Sequence, residues 1–420
     1  MRFLVLIECP VVSVKHRLTI IVTALTMLTG IDATANSGPA QSGLFAPANN
    51  AMTAAANPAG LTRLERTEWL GQLVIFGSES TFETTSDSYP GVTVEEDDGS
   101  LFVPFVYYAR PLNEKWTVGA SFTAPGGFGE DLDDNSPGRY LVDEWNLIFL
   151  SLSPAAGYRV NDRFSVGGAV NINYTLYEFE SAVFNPEPTI GDGRMEIDAD
   201  DITVTFQMGL LYEFSPRTRV GFNYRTESDP SLSDTPSFNN LGPIRQAALD
   251  QAGILDQKLV FKTTMPRIVG AGIYHELENG TALTLDGLWL EFSEFGISEF
   301  RIGDNSISPT EQDFEDVWAF STGVSYPLNK HWTIKGGFAY TTQFIKDQNR
   351  TQAFRMDQIW GVGGGAEYNW GKDKVLGLNL NYYDLGDGPV ETDVPILGTL
   401  NGKFTERYAI GIDFTFRWLR

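Results

Sequence analysis

The sequence predicts an all-β fold: a 14-stranded antiparallel transmembrane β-barrel whose lumen is plugged by an N-terminal hatch. Three observations carry that expectation. Long segments alternate apolar and polar residues with period 2. A short turn motif recurs along the chain and is separated by long polar connections. One stretch ahead of the first strand, 41–66, lacks the alternation altogether.

The alternation is clearest where Phe164, Val166, Gly168, Val170, Ile172, Tyr174 and Leu176 share one face. Ser165, Gly167, Ala169, Asn171, Asn173 and Thr175 share the other. The last segment likewise sets Tyr408, Ile410, Ile412, Phe414, Phe416 and Trp418 against Gly411, Asp413, Thr415 and Arg417. Period 2 means one wet face and one apolar face. Strands of soluble sandwiches are about half this length, whereas membrane strands need about ten residues in the hydrocarbon and carry aromatics at both rims. The segments are 67–77, 102–111, 116–127, 146–160, 164–182, 197–214, 219–227, 258–277, 281–300, 316–327, 331–345, 358–370, 374–385 and 404–418. Their number is even, as closure of a single-chain barrel requires, and the last is expected to pair with the first.

The turns supply the asymmetry. Leu112-Asn113-Glu114-Lys115-Trp116 returns as Val160-Asn161-Asp162-Arg163-Phe164 and as Leu328-Asn329-Lys330-His331-Trp332, with weaker copies at 214–219 and 277–282. Long polar loops separate them, among them 78–101, 130–144, 187–200 and 229–257. The loop at 229–257 carries a helix expected over 243–255. Short turns at one end and long loops at the other are the pattern of an outer-membrane barrel. A propeller would repeat at this spacing without it.

Composition narrows the function classes. The chain has 420 residues, 54 acidic against 30 basic side chains, 42 Gly and one Cys; its mean hydropathy of −0.15 is not that of a helical membrane protein. The net charge of −24 repels nucleic acid and argues against a basic anchor on anionic lipid. Residues 1–35 read as a signal peptide: Lys15, His16 and Arg17, then an apolar core over 18–29, then the small-x-small site Ala33-Thr34-Ala35. Its removal takes Cys9 with it. The remaining division is a hatch over 36–66 and a barrel over 67–420.

No enzyme is expected. His16 leaves with the leader, and His275 and His331 fall at short turns, far from the outer rim where a general base would work. The acidic clusters Glu95-Glu96-Asp97-Asp98 and Asp131, Asp133, Asp134 lack the Gly-punctuated spacing of a calcium loop. No metal and no cofactor is therefore assigned, and these clusters read as solvated charge facing lipopolysaccharide.

Against this background the chain resembles the outer-membrane transporters of long-chain fatty acids and other hydrophobic compounds, the FadL/TodX type. The residues that carry the resemblance are 43–64 with Asn57-Pro58-Ala59, the segment 153–162 running into 164–174, and Thr123-Ala124-Pro125-Gly126-Gly127-Phe128-Gly129. The resemblance implies a monomeric barrel in the outer membrane of a Gram-negative bacterium, delivered there by the barrel-assembly machinery. It implies uptake of a hydrophobic small molecule, captured at the extracellular loops and released laterally at a kink in the third strand. Asn57, Pro58 and Ala59 are then hatch and gating residues, since Asn57 bonds backbone at a chain reversal and Pro58 fixes the next φ. Pro125, Gly126 and Gly127 are the kink, because proline cannot donate to the ladder and glycine permits the bend. Leu44, Phe45 and Phe128 are expected to line an apolar pocket, with Arg225 or Lys335 holding the carboxylate of an acid. The competing reading is a general diffusion porin for small polar solutes, which calls for a charged constriction and no plug.

Overall fold

The computed structural model describes residues 38–85, 93–96, 100–131, 139–140, 142–307, 313–350, 357–394 and 398–420. The leader expected over 1–35 lies outside them, as do Asp97, Asp98, Asp133 and Asp134. The first described residues form the hatch: a 3₁₀ turn at Pro39–Gln41, the one-turn helix α1 (Thr53–Ala56) and a 3₁₀ helix at Pro58–Arg63. The strands follow in order: β1 (Glu68–Thr84), β2 (Thr93–Glu96), β3 (Ser100–Pro111), β4 (Trp116–Asp131), β5 (Glu144–Arg159), β6 (Phe164–Val183), β7 (Gly193–Ser215) and β8 (Thr218–Arg225). Then come β9 (Ser231–Asp234), β10 (Ser237–Asn239), helix α2 (Pro243–Gln251), β11 (Leu259–Thr264), β12 (Ile268–Glu276), β13 (Ala282–Leu290), β14 (Gly296–Ile302) and β15 (Asn305–Ile307). The chain ends with β16 (Val317–Pro327), β17 (Trp332–Thr341), β18 (Ile359–Trp370), β19 (Lys374–Asp384), β20 (Pro389–Val394) and β21 (Gly398–Leu419).

Fourteen of these strands make one closed antiparallel wall, running β1, β3 to β8, β12, β13, β16 to β19 and β21. The seam closes as expected, with β1 on β21 from Glu68↔Leu419 to Thr84↔Gly402. The others dress the long-loop end. There β9, β11, β14 and β15 form a separate four-stranded sheet. Two expected wall strands, 258–277 and 281–300, are each broken in two. Pro266, between β11 and β12, has no N–H to give a ladder. A 3₁₀ turn at Phe292–Glu294 and Gly296 at φ 127° turn the chain between β13 and β14. In both cases the wall ends at the break, and the remainder joins the outer sheet. Helix α2 stops at Gln251, short of the expected 255.

The alternation sorts as a membrane barrel demands. Ile202, Phe206 and Leu380 point outward, 57–63% exposed, while Asn171, Asn173 and Thr205 point inward and are buried in mutual hydrogen bonds. At the short-turn rim three outward Trp–Tyr pairs sit directly across strands: Trp69–Tyr108, Trp116–Tyr158 and Trp332–Tyr368, with ring centroids 4.5–4.8 Å apart. The turn motif has a mechanism. Asn113 Oδ1 accepts from the amides of Lys115 and Trp116, both at 2.9 Å. Asn161 and Asn329 repeat that geometry at 2.9–3.0 Å, and Ser215 Oγ substitutes in the weaker copy.

Candidate functional site

The hatch fills the lumen in its short-turn half and is seated on glycines. Gly157, Gly167 and Gly209 are register partners across β5, β6 and β7. A Cβ on any of them would strike the Asn57-Pro58-Ala59 motif, for instance the Pro58 carbonyl at 2.8 Å from Gly157. Gly323, Gly337 and Gly363 repeat the arrangement across β16, β17 and β18, where Pro39, Ala40 and Ser42 lie against the wall. Hatch backbone therefore rests on wall backbone at two patches of the inner surface.

Polar side chains then tie it down. Asn57 is fully buried; its Nδ2 donates to the carbonyls of Phe45 at 2.7 Å and Leu210 at 3.0 Å, and its Oδ1 accepts from Ala59 N at 3.2 Å. One side chain thus joins two parts of the hatch to β7. Arg219, 2% exposed, donates to the carbonyls of Ala46 and Pro47 and stacks 3.6 Å over the Tyr274 ring. Asp286 accepts from the amides of Leu44 and Phe45 at 3.1 and 3.4 Å. Glu68 takes the Ala51 amide at 2.8 Å and pairs with Arg417, which also reaches the Asn49 carbonyl. Thr62 Oγ1 donates to Ser165 Oγ at 2.8 Å. Burying such groups is costly unless each is satisfied, and here each meets a named partner on the other body. Sequence reasoning found the Asn-Pro-Ala motif and missed Arg219, Asp286 and Glu68. Their visible signal was charge on the inward, period-2 face of a membrane strand.

The expected site residues do not gather in one place. Leu44 and Phe45 are buried in a hatch–wall cluster with Ala56, Ile268, Leu288, Ala319 and Ala339, the Phe45 ring wedged over Gly270. Phe128 stands on β4 in register with Leu147. Arg225 points inward from β8, in register with Gln207 and Ile268. Lys335 points inward from β17, with three wall strands between it and β8, and its ammonium is paired with Glu367 at 2.5 Å. That pair borders a polar cavity of about 290 Å³ between hatch and wall, lined also by Ser42, Asn49, Asn50 and Ser325.

Pro125, Gly126 and Gly127 lie at an irregularity of the wall. On the β5 side, pairing runs to Thr123↔Ser151 and resumes at Gly126↔Phe149, so Ala124 and Pro125 oppose Leu150 alone. This is a bulge, which bends a strand and disrupts its ladder. The expected loss of pairing falls on the other edge. From Pro111↔Thr117 the β3–β4 ladder reaches only Val106↔Phe122 among the described residues. Beyond it β3 stays on β1 as far as Ser100↔Gly77, and β4 stays on β5 as far as Asp131↔Glu144. The two strands diverge. Pro154 opens a smaller break in the β5–β6 ladder, between Leu152↔Ile172 and Ala155↔Ala169.

Two separate buried apolar clusters have members on the strands beside this divergence. One joins Met52, Ala54 and Ala55 of the hatch to Val103, Phe105 and Ala124. The other descends from the long-loop end, where the Phe292 ring lies 4.6–5.9 Å from those of Phe295, Phe344 and Phe314. It reaches Trp145, Leu147 and Phe149 of β5, beside the bulge.

Comparison with known proteins follows the same lines. The family model described as outer membrane protein transport protein (OMPP1/FadL/TodX) matches residues 19–417. A long-chain fatty acid transport protein of Salmonella typhi is 23% identical over 372 residues, covering 82% of this chain and 84% of that one. Among solved structures, a Pseudomonas aeruginosa FadL homologue superposes with a TM-score of 0.79 at 17% identity, covering 92% of this chain and 98% of its own. The Ralstonia pickettii toluene transporter TbuX gives 0.66 at 16% identity, covering 93% and 99%. With a match over nearly its whole length and a hatch seated in a closed 14-stranded wall, the chain belongs to the OMPP1/FadL/TodX family of outer-membrane transport proteins.

Proposed function

We propose that this barrel takes up a hydrophobic small molecule, such as a long-chain fatty acid or an aromatic hydrocarbon, and releases it sideways into the outer membrane between β3 and β4. The observation that carries this reading is the divergence of those strands beyond Val106↔Phe122, with one apolar cluster on β3 and β4 and a second on the adjoining β5. Unpaired backbone facing hydrocarbon costs several kcal/mol per group, so a break kept there is better explained as an opening than as a defect. Capture falls to the phenylalanines at the extracellular end. Each CH₂ moved out of water is worth about 0.8 kcal/mol, so an alkyl chain of a few such groups suffices for binding after association costs. Met52, Ala54 and Ala55 form the hatch surface beside the opening, Leu44 and Phe45 anchor the hatch on another part of the wall, and Asn57, Pro58 and Ala59 lock the hatch that seals the periplasmic end. A polar-solute porin fits poorly, because its pore would run where the hatch is packed against glycine.

The test is a valine pair at Gly126 and Gly127. A Cβ at Gly126 meets Phe149 at an ordinary 3.6 Å, so the wall accommodates it. Valine favours continuous pairing and fills the opening. Uptake of oleate and of toluene by cells is expected to fall while the purified barrel binds both as before. Unchanged uptake overturns lateral release; lost binding overturns the capture reading.

A further inference from the structure

The repeated short turns allow a comparison within one molecule. Asn113 and Asn329 build the same turn, and each leads into the same outward platform, Trp116–Tyr158 at 4.7 Å and Trp332–Tyr368 at 4.8 Å. The scaffolds differ in charge. Glu114-Lys115 cancels itself, as does Asp162-Arg163 in the third copy, whereas Lys330-His331 contains no carboxylate. The neighbouring turn toward the barrel seam continues the trend. Lys372 and Lys374 flank Asp373, whose carboxylate is engaged by Arg66 at 2.5 Å, and Lys374 lies 5.1 Å over the Trp370 ring. A basic sector on one side of the periplasmic rim is notable in a chain with 54 acidic and 30 basic residues.

At that sector lies a groove of about 460 Å³ lined by Asn329, Lys330, His331, Trp332 and Tyr368. Lys330 and His331 stand on its aqueous side. Its other side is the Trp332–Tyr368 platform, with Trp332 exposed and Tyr368 half-buried, continuous with the outward apolar residues Ile334, Phe338 and Val362 of the lipid belt. We propose that this groove holds the headgroup of an anionic glycerophospholipid of the periplasmic leaflet, with its phosphate at Lys330 and His331 and its acyl chains along the outer face past Ile334. A cation beside an amphipathic ring pair suits a molecule that is anionic at one end and apolar at the other. A free anion would use only half of the site.

Native mass spectrometry of the purified barrel, offered equimolar phosphatidylglycerol and phosphatidylcholine, tests this. Wild type is expected to retain phosphatidylglycerol preferentially. Lys330→Ala is expected to reduce that preference about fivefold, from about 1 kcal/mol per basic residue at an anionic surface. Glu114→Lys places the missing charge on the matching platform and is expected to add a second retained phosphatidylglycerol. Both sites are exposed turns, and migration of the heat-unfolded and folded forms on gels verifies folding. Equal preference in wild type and Lys330→Ala overturns the proposal. So does displacement of the lipid by millimolar inorganic phosphate, which would make the groove a simple anion site.

Discussion

The backbone carbonyl of Phe45 occupies the place where Gly221 would carry a Cβ, so hatch and wall meet there with no side chain between them. The barrel can accept such contact only while residue 221 is glycine. Gly221→Val is therefore expected to expel this part of the hatch, since overpacking a filled site costs about 1–3 kcal/mol. The wall itself, tied by ladders on both sides of β8, stays closed. Planar-bilayer recordings should show ion leak in Gly221→Val. Gly71→Val, at a glycine with open space around it, should show none.

Asn57 is the corresponding polar lock. Replacing it with Ala removes the donor from the buried Phe45 carbonyl, at about 1–3 kcal/mol for a group left unsatisfied, and from the part-buried Leu210 carbonyl. Amide hydrogen exchange over 43–64 should accelerate by at least tenfold, about 1.4 kcal/mol, with the amount of folded barrel unchanged. Exchange equal to the parent's would show that Asn57 does not hold the hatch.

Two cations were candidates for a fatty-acid carboxylate, and they stand at different places in the lumen. Lys335 is neutralised by Glu367 beside the periplasmic cavity. Arg225 is in register with Ile268, a member of the Phe45 cluster. Arg225→Gln is expected to weaken oleate binding about tenfold and leave an alkane of equal length unaffected. Lys335→Gln is expected to alter neither. Isothermal titration of the four combinations checks this, and equal losses for acid and alkane would remove the carboxylate role from Arg225.

Much of the architecture was legible in residues because membrane and lumen impose opposite demands on alternate positions. Ile202 and Phe206 against Thr203 and Thr205 reveal by their spacing alone which way the strand faces. Asn113, Asn161 and Asn329 mark the turns through a local hydrogen bond. The breaks near Pro266 and Phe292 were not legible as wall ends. Alternation continues on both sides of them, and an outer sheet has the same period as a wall. The site was legible only in part. Asn57-Pro58-Ala59 and the Pro125 bulge are local signals. The pairing of Phe45 with Gly221 and of Asp286 with the Leu44 amide joins residues far apart in sequence, and only closure of the barrel brings them together. The lost ladder also fell on the β3 edge of β4, which a single proline does not specify.

The central claim, that ligand leaves through the wall and not past the hatch, is tested by fastening the hatch. Thr62 and Ser165 touch through their hydroxyls at 2.8 Å, one on the hatch and one on β6. The one native cysteine, Cys9, falls in the expected leader. Thr62→Cys with Ser165→Cys therefore offers a lone disulfide that pins the hatch to the wall and can be released by reductant. Uptake of oleate should be compared in oxidised and reduced cells. Equal rates with the hatch pinned are the predicted result. Uptake blocked on oxidation and restored by reductant would route the ligand past the hatch and contradict lateral release.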